Sequence, residues 1–394
     1  MTRKRMTSTG EPRVPFQYGR ELDAGELVDR ERELTEIAAT IRNRGKLFLI
    51  GPRRYGKTSL LAVAAERARQ AGVLVLRYDA ERYETLDLLA QALLTGAARG
   101  LKGPLERVVG SVGKAAARLR PELSVAPDGS VTVALGVSGT DRGELVLLAD
   151  ALDAIERLAE EADRDVVVML DEVQQVVVEH GLEAERQLRS TVQRHQRVAY
   201  VFAGSDTRLL TAMTSDPARP FYRLGARLFI GEIPREDFLE FLERGFASGR
   251  FRVEPGACER ILERAEDVPY NVQRLAYACW ESLRSGETAS LSAAAVDRVL
   301  ERVVRQEDPA YTQVWTSLSR NQKKALKLVI ELGGERLFSA DAGRRSGIGP
   351  SALQRALDAL ENRHLVRQEP AAGKSRYRLV DPFMAVWLEL AQAL

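Results

Sequence analysis

Cysteine is nearly missing from this chain of 394 residues, which has only Cys258 and Cys279. Two isolated thiols exclude a disulfide-stapled scaffold and offer no zinc cluster. Histidine is just as sparse: His180, His195 and His364 form no ligand constellation. No uninterrupted apolar run reaches the length of a membrane span. The basic N-terminus, MTRKRMTSTGEPRVP, is not followed by the apolar stretch of a secretory signal, so the expected location is cytoplasmic. Neither sign of charge dominates, the formal net charge being +2. Any nucleic-acid surface is therefore a local patch and not a property of the whole molecule. Lysine is the scarce cation, with nine among 58 basic residues.

What is present suits a folded protein with more than one core. The chain is 45% apolar and 29% charged, ordinary values for a globular protein, and its length predicts two or three domains. Residues 1–15 resemble a flexible arm. Glu31–Arg42 has helical spacing in Leu34, Ile37, Ala38 and Ile41. Next come the apolar run Lys46–Ile50, a glycine loop, a helix over Ser59–Gln70 and a second apolar run, Val73–Tyr78. That order is the βαβ unit of a parallel sheet. Residues 86–120 are expected to be helical, with a break near 101–104. Leu123–Val125 and Val131–Val137 flank Ala126–Gly129 as a hairpin. Leu145–Ala162 returns to helix, and Asp165–Asp171 and Val198–Ala203 are further buried strands. Beyond Pro234 the pattern is helical to residue 305. A linker is expected at Gln306–Pro309, and then three helices and two short strands in the order of a winged helix-turn-helix.

Gly51-Pro52-Arg53-Arg54-Tyr55-Gly56-Lys57-Thr58, with Ser59 after it, fits G-x-x-x-x-G-K-[ST] at every specified position. The glycines let backbone N–H groups converge on a β-phosphate. Lys57 supplies a compact cation to the β- and γ-phosphates. The hydroxyl of Thr58 suits Mg²⁺, a hard ion that takes oxygen ligands. The helix that starts here adds its positive dipole end. The competing reading is a glycine turn before an ordinary helix, but the strand before the loop and the helix after it form the context a phosphate loop requires.

Asp171 and Glu172 end an apolar strand, where carboxylates enter the ligand crevice of an open α/β sheet. Asp171 is the expected metal partner and Glu172 the general base that polarises the attacking water; the alternative is two solvated carboxylates. Ser205, at the tip of the next strand, is the candidate contact to the γ-phosphate or lytic water. Asp206 and Thr207 compete with it, and a plain turn is the other reading. Arg223 and Arg227 come after a Pro-Phe-Tyr turn and are weaker candidates for a phosphate contact.

Together these residues resemble the archaeal-type ATPases of the signal-transduction (STAND) branch of AAA+-like P-loop proteins. The resemblance begins at Leu27-Val28-Asp29-Arg30-Glu31-Arg32-Glu33-Leu34 and continues through Pro52–Leu60, Leu170–Gln174 and Ala203–Ser205. It includes Val268-Pro269-Tyr270-Asn271-Val272-Gln273, with Asp267-Val268 where the family usually has glycines, and ends at Tyr377–Phe383 with Trp387. It implies an α/β fold: an AAA+-like parallel-sheet core over 16–233, a helical lid over 234–305 and a winged helix over 306–394. It also implies ATP with Mg²⁺, slow hydrolysis and a switching role. Residues 29–31 open a helix that either packs beside the adenine or is simply a capped amphipathic helix with solvated charges.

In the C-terminal segment Pro350–Asn362 is the expected recognition helix, with Ser351, Gln354, Arg355 and Asp358 facing outward. Arg344, Arg345, Arg355, Arg363, Arg367, Lys374, Arg376 and Arg378 are available to phosphates, whereas Asp358 opposes them. DNA is one candidate partner, and a protein or a second copy of the chain is another. The leading expectation is an ATP-hydrolysing switch, with the winged helix moving relative to core and lid. The alternatives are a DNA-binding regulator whose nucleotide is structural and an initiator-type helicase loader.

Overall fold

The apolar runs become strands of one parallel sheet. In the computed structural model, which describes residues 13–101, 119–125, 131–137, 144–371 and 374–392, the chain divides into two compact units. One is Arg20–Gly231; the other joins the described residues up to Gly19 to those from Glu232 onward.

In the first unit the strands are β1 (Lys46–Ile50), β2 (Leu74–Asp79), β3 (Leu119–Val125), β4 (Val131–Val137), β5 (Val166–Asp171), β6 (Val198–Gly204) and β7 (Ala226–Phe229). The sheet runs β2-β5-β6-β1-β7 with every pairing parallel. Its helices are α1 (Glu31–Arg42), α2 (Lys57–Gln70), α3 (Leu86–Gly100), α4 (Glu144–Glu161), α5 (Gln174–Val192) and α6 (Thr207–Ser215). β5 and β6 are buried along their whole length, which is why they read as continuous apolar runs and not as alternation. Phe48, Leu76, Val168, Leu170 and Phe202 share a core with Leu89 and Leu93 of α3 and Leu152 and Ile155 of α4.

β7 has no sequence counterpart among the expected strands. It is a four-residue edge strand in which only Leu228 is buried, too short and too polar to show a period. β3 and β4 form the expected antiparallel hairpin, but β3 starts at Leu119, inside the stretch expected to be helical to 120. The hairpin's turn and residues 102–118 lie outside the described residues.

The second unit contains α7 (Arg235–Ser248), α8 (Ala257–Arg264), α9 (Pro269–Arg284) and α10 (Ala293–Gln306), then α11 (Asp308–Ser317), α12 (Arg320–Glu331), α13 (Ala340–Ser346), α14 (Pro350–Asn362), β8 (Val366–Ala371), β9 (Lys374–Leu379) and α15 (Phe383–Gln392). β8 and β9 pair antiparallel behind three helices, the arrangement of a winged helix-turn-helix. The expected linker at Gln306–Pro309 is instead a junction of two helices. Only Glu307 separates α10 from α11, and Pro309 falls in the first turn of α11, where its missing N–H costs nothing.

Most of the expected N-terminal arm, residues 1–12, lies outside the described residues. The segment after it is tightly packed. Phe16 is fully buried, with its ring 4.7 Å from that of Phe246 and 6.0 Å from that of Trp280. The backbone N–H of Gln17 donates to Oε1 of Gln273 on α9. At the other end of the chain, Asp381 accepts from Nδ2 of Asn271 at 2.9 Å and from the hydroxyl of Tyr311 at 3.1 Å. Helix α9 thus holds both ends of the described chain.

Candidate phosphate and water-activation site

β1 delivers the chain into the glycine loop, and α2 starts at Lys57 with Gly56 as its N-cap. Gly56 adopts φ +86°, a left-handed conformation that glycine takes without steric cost. This turn allows the loop to close on the helix N-terminus. The Lys57 ammonium is buried, and Nζ donates to the carbonyl of Pro52 at 3.0 Å. Burial pushes its pKa down, while the charges of Glu172 and Asp171 work to keep it protonated. A cation held within a loop by a single carbonyl is poised to exchange that partner for phosphate oxygens.

Not every loop residue faces the cradle. The Tyr55 side chain belongs to the core, 2% exposed. The Ser59 hydroxyl accepts from the N–H of Leu22, tying the segment before α1 to the loop helix. From these two residues, only the backbone is available to a ligand. Arg53 extends toward Ser205, with Nε 3.4 Å from Oγ, and toward Glu81. Arg54 supplies a second left-handed residue, φ +72°.

Asp171 is buried, and Glu172 beside it is partly so. Asp171 is 5% exposed, and its Oδ2 accepts from the hydroxyl of Thr58 at 2.9 Å. Burial and the neighbouring Glu172 raise its pKa, partly opposed by the Thr58 hydrogen bond and Lys57. Glu172 sits in the left-handed region at φ +50°, turning its side chain away from the strand. Its Oε2 accepts from the backbone N–H of Ser205 at 3.1 Å, from the hydroxyl of Ser205 at 2.8 Å, and from Nε2 of Gln174. Burial works to raise its pKa, but Lys57 and these donors outweigh it and bring the pKa below the ordinary value. The geometry brings Lys57, Thr58, Asp171, Glu172 and Ser205 into one linked group.

Ser205 is distinguished from its competitors. The Asp206 side chain caps α6 by accepting from the N–H of Leu209 at 2.8 Å, and Thr207 is the first residue of that helix. Arg227 donates to the hydroxyl of Ser215, and the Arg223 guanidinium lies 5.0 Å from the ring centre of Tyr222. Gln174 is a site residue to which sequence reasoning assigns no role, although it falls in the stretch of resemblance. Its signal is weak: a polar residue two positions after Glu172, in a run that looks like an ordinary helix start.

Gln174 also explains Gly204. A Cβ at Gly204 would overlap Oε1 of Gln174 and approach Cδ1 of Leu210 to 2.6 Å. Gly204→Ala is expected to cost about 1–3 kcal/mol of stability through overpacking. A lowered thermal unfolding midpoint checks it.

Of the two readings of residues 29–31, solvated charge fails for Arg30. It is 6% exposed, donating to Glu33 at 3.0 Å and to the carbonyl of Gly231 at 2.9 Å. In the other unit Asp267, standing where a glycine is usual, still adopts a glycine-like φ of +55° and pairs with Arg235. Among the described residues no helix is long and apolar enough to cross a membrane.

Comparison with known proteins places this geometry. Residues 27–219 match a family described as an ATPase domain predominantly from Archaea. No curated protein is significantly similar to the chain. Among solved structures, the Walker-type ATPase PABY2304 of Pyrococcus abyssi is 20% identical with a TM-score of 0.62, over 95% of this chain and 99% of that one. The Aeropyrum pernix ORC2 protein in its ADPNP–ADP complexes is 16% identical with a TM-score of 0.54, over 96% and 98%. Its ADP form is 18% identical with a TM-score of 0.51, over 95% and 96%. At such identities the likeness concerns the fold. It is the phosphate loop, the carboxylates that end β5 and the family match together that define the activity: residues 27–219 are a nucleotide-binding ATPase domain of the family found predominantly in Archaea.

Proposed function

We propose that the chain is an ATP-hydrolysing switch of the STAND type whose nucleotide state is passed to a winged helix that contacts DNA. The observation that supports this best is the junction at Asp381, which ties α9, the helix carrying the lid motif, to α11 and to the entry of α15. Through this junction a motion of the lid reaches the winged helix, which is expected to move relative to the core.

Gly51–Ser59 cradle the phosphates, with Lys57 on the β- and γ-oxygens. Mg²⁺ fits the donors present: the Thr58 hydroxyl and Asp171 carboxylate are hard oxygen ligands, and no cluster of three metal-ligating side chains occurs among the described residues. Such a sparse set suits an ion that keeps waters and phosphate oxygens in its shell. When bound, the ion neutralises charge on the β- and γ-phosphates. Glu172 takes a proton from water as the water oxygen bonds to the γ-phosphorus and the β–γ bridge breaks. Ser205 orients that water or the γ-phosphate.

The second reading, a DNA-binding regulator with structural nucleotide, is favoured by the three donors on Oε2 of Glu172, which occupy the base until they are released. Measuring ATP turnover together with duplex-DNA affinity in the ATP- and ADP-bound forms separates the two. The switch requires Mg²⁺-dependent turnover and unequal affinities; equal affinities in both forms refute it.

A further inference from the structure

The arginines expected to meet DNA are largely engaged within the protein. Arg344 and Arg345 both pair with Asp341, at 3.5 and 2.8 Å. Arg367 pairs with Glu369, and Arg378 with Glu266 and Glu232; these two arginines are only 11% and 13% exposed. Arg363 donates to Ser317, and Arg376 to the carbonyl of Gly333. On the outward face of α14, Gln354 is hydrogen-bonded to the carboxylate of Asp358, so this face carries an acidic group as well as Arg355. Arg367 and Arg378 are thus neutralised and covered, Arg344 and Arg345 share one carboxylate, and the side chains of Arg363 and Arg376 are held by neutral acceptors.

Helix α12 is the opposite case. A chain with nine lysines puts three of them, Lys323, Lys324 and Lys327, on this one helix, behind Arg320 and with no acidic residue before Glu331. At about 100° per residue the four cations fall within an arc of roughly 100°. The buried residues Ala325, Leu326, Leu328 and Val329 occupy the rest of the circumference. No carboxylate lies within ion-pair distance of any of the four among the described residues. Nζ of Lys323 and of Lys327 lie 5.3 and 5.7 Å from the ring centre of Trp315, which is itself packed on Trp387. The aromatic face orders two ammonium groups that would otherwise swing freely, and so lowers the entropy lost on binding. The stripe is roughly 10 Å long, the axial span of about three phosphates along one DNA strand.

We propose that the Arg320–Lys327 face of α12, beside Trp315, is a contact for the phosphate backbone of duplex DNA, and that α14 is not the main source of affinity. The inference rests on the DNA reading of the winged helix given above. It is tested by fluorescence anisotropy of a labelled mixed-sequence 30-base-pair duplex with the full-length protein, titrated from 50 to 200 mM salt. Changing Lys323, Lys324 and Lys327 together to alanine is expected to weaken binding on the order of 100-fold at 0.1 M salt. The slope of log affinity against log salt should fall by about 2.7, near 0.9 per lost contact. The same three positions changed to arginine should restore both, and Arg355→Ala should change the slope by less than about one. ATP turnover and the unfolding midpoint, unchanged in all variants, report that the fold is intact.

Wild-type slope and affinity in the alanine variant overturn the proposal, as does an arginine variant that folds but fails like the alanine one. Competition by polyglutamate as effective as unlabelled duplex at equal charge assigns the face to an acidic protein partner and also overturns it. A wild-type protein that does not bind duplex at 50 mM salt removes the DNA reading itself. Binding that survives only the alanine change removes this face and leaves that reading standing.

Discussion

Lys57→Ala lowers ATP turnover on the order of 10³-fold, about 4 kcal/mol of transition-state stabilisation, and weakens ATP binding with it. The size of the effect follows from where the ammonium sits. It is enclosed by the loop, where burial lowers its pKa and the charges of Glu172 and Asp171 oppose that shift. A charge in such a place needs no reorganisation to meet phosphate, and water replaces it poorly. Arginine at the same position is not expected to rescue, because a planar fork spreads the charge that lysine presents as a compact point. The measurement is steady-state phosphate release together with equilibrium binding of a fluorescent ATP analogue. Turnover at the wild-type level in the alanine variant would remove the phosphate loop from the mechanism.

Glu172→Gln has a different signature. Turnover is expected to fall by about 10²–10⁴-fold, the usual contribution of a general base, while ATP affinity stays within a few-fold of wild type. The amide still accepts from Ser205, so the fold of the site is kept. A second consequence arises at Asp171, whose pKa is raised by burial and also by the charge of Glu172. A raised carboxyl stays protonated to a higher pH, so Mg²⁺-dependent binding is lost as pH falls through that raised value. Neutralising residue 172 removes one of the two causes. The acid limit of Mg²⁺-dependent nucleotide binding in Glu172→Gln should therefore shift to lower pH. An unshifted limit, with turnover unaffected, assigns Glu172 to structure alone.

The sheet and the site are legible in sequence to different depths. β1, β5 and β6 announce themselves as apolar runs because both of their faces are covered, and the loop between β1 and α2 because phosphate chemistry tolerates few alternatives at its fixed positions. Lys57 and Thr58 come from that spacing, and Asp171 from its place at the acidic end of an apolar run. β7 stays hidden because an edge strand with one buried side chain carries no period. Gln174 stays hidden because its importance arises from Gly204 and Ser205, about thirty positions away, across the strand pairing of β5 with β6. The linker expected at Gln306–Pro309 fails because proline signals a break and a helix start alike, and only packing decides which. The winged-helix arginines are overcounted for the same reason: composition reveals cations, whereas their availability depends on carboxylates such as Glu266, more than a hundred residues from Arg378.

The burial of Phe16 has a consequence for how the chain is made. Its aromatic partners Phe246 and Trp280 emerge from synthesis about 230 and 260 residues later. At roughly 5–20 residues per second, that interval is on the order of tens of seconds. During it the ATPase domain has every strand it needs to fold, while the leading segment waits with an uncovered aromatic side chain. Docking of Phe16 is a contact of very high sequence separation and therefore a late, slow event. Maturation of the lid should thus wait on the docking of Phe16, whose segment stays open to chaperones and proteases meanwhile.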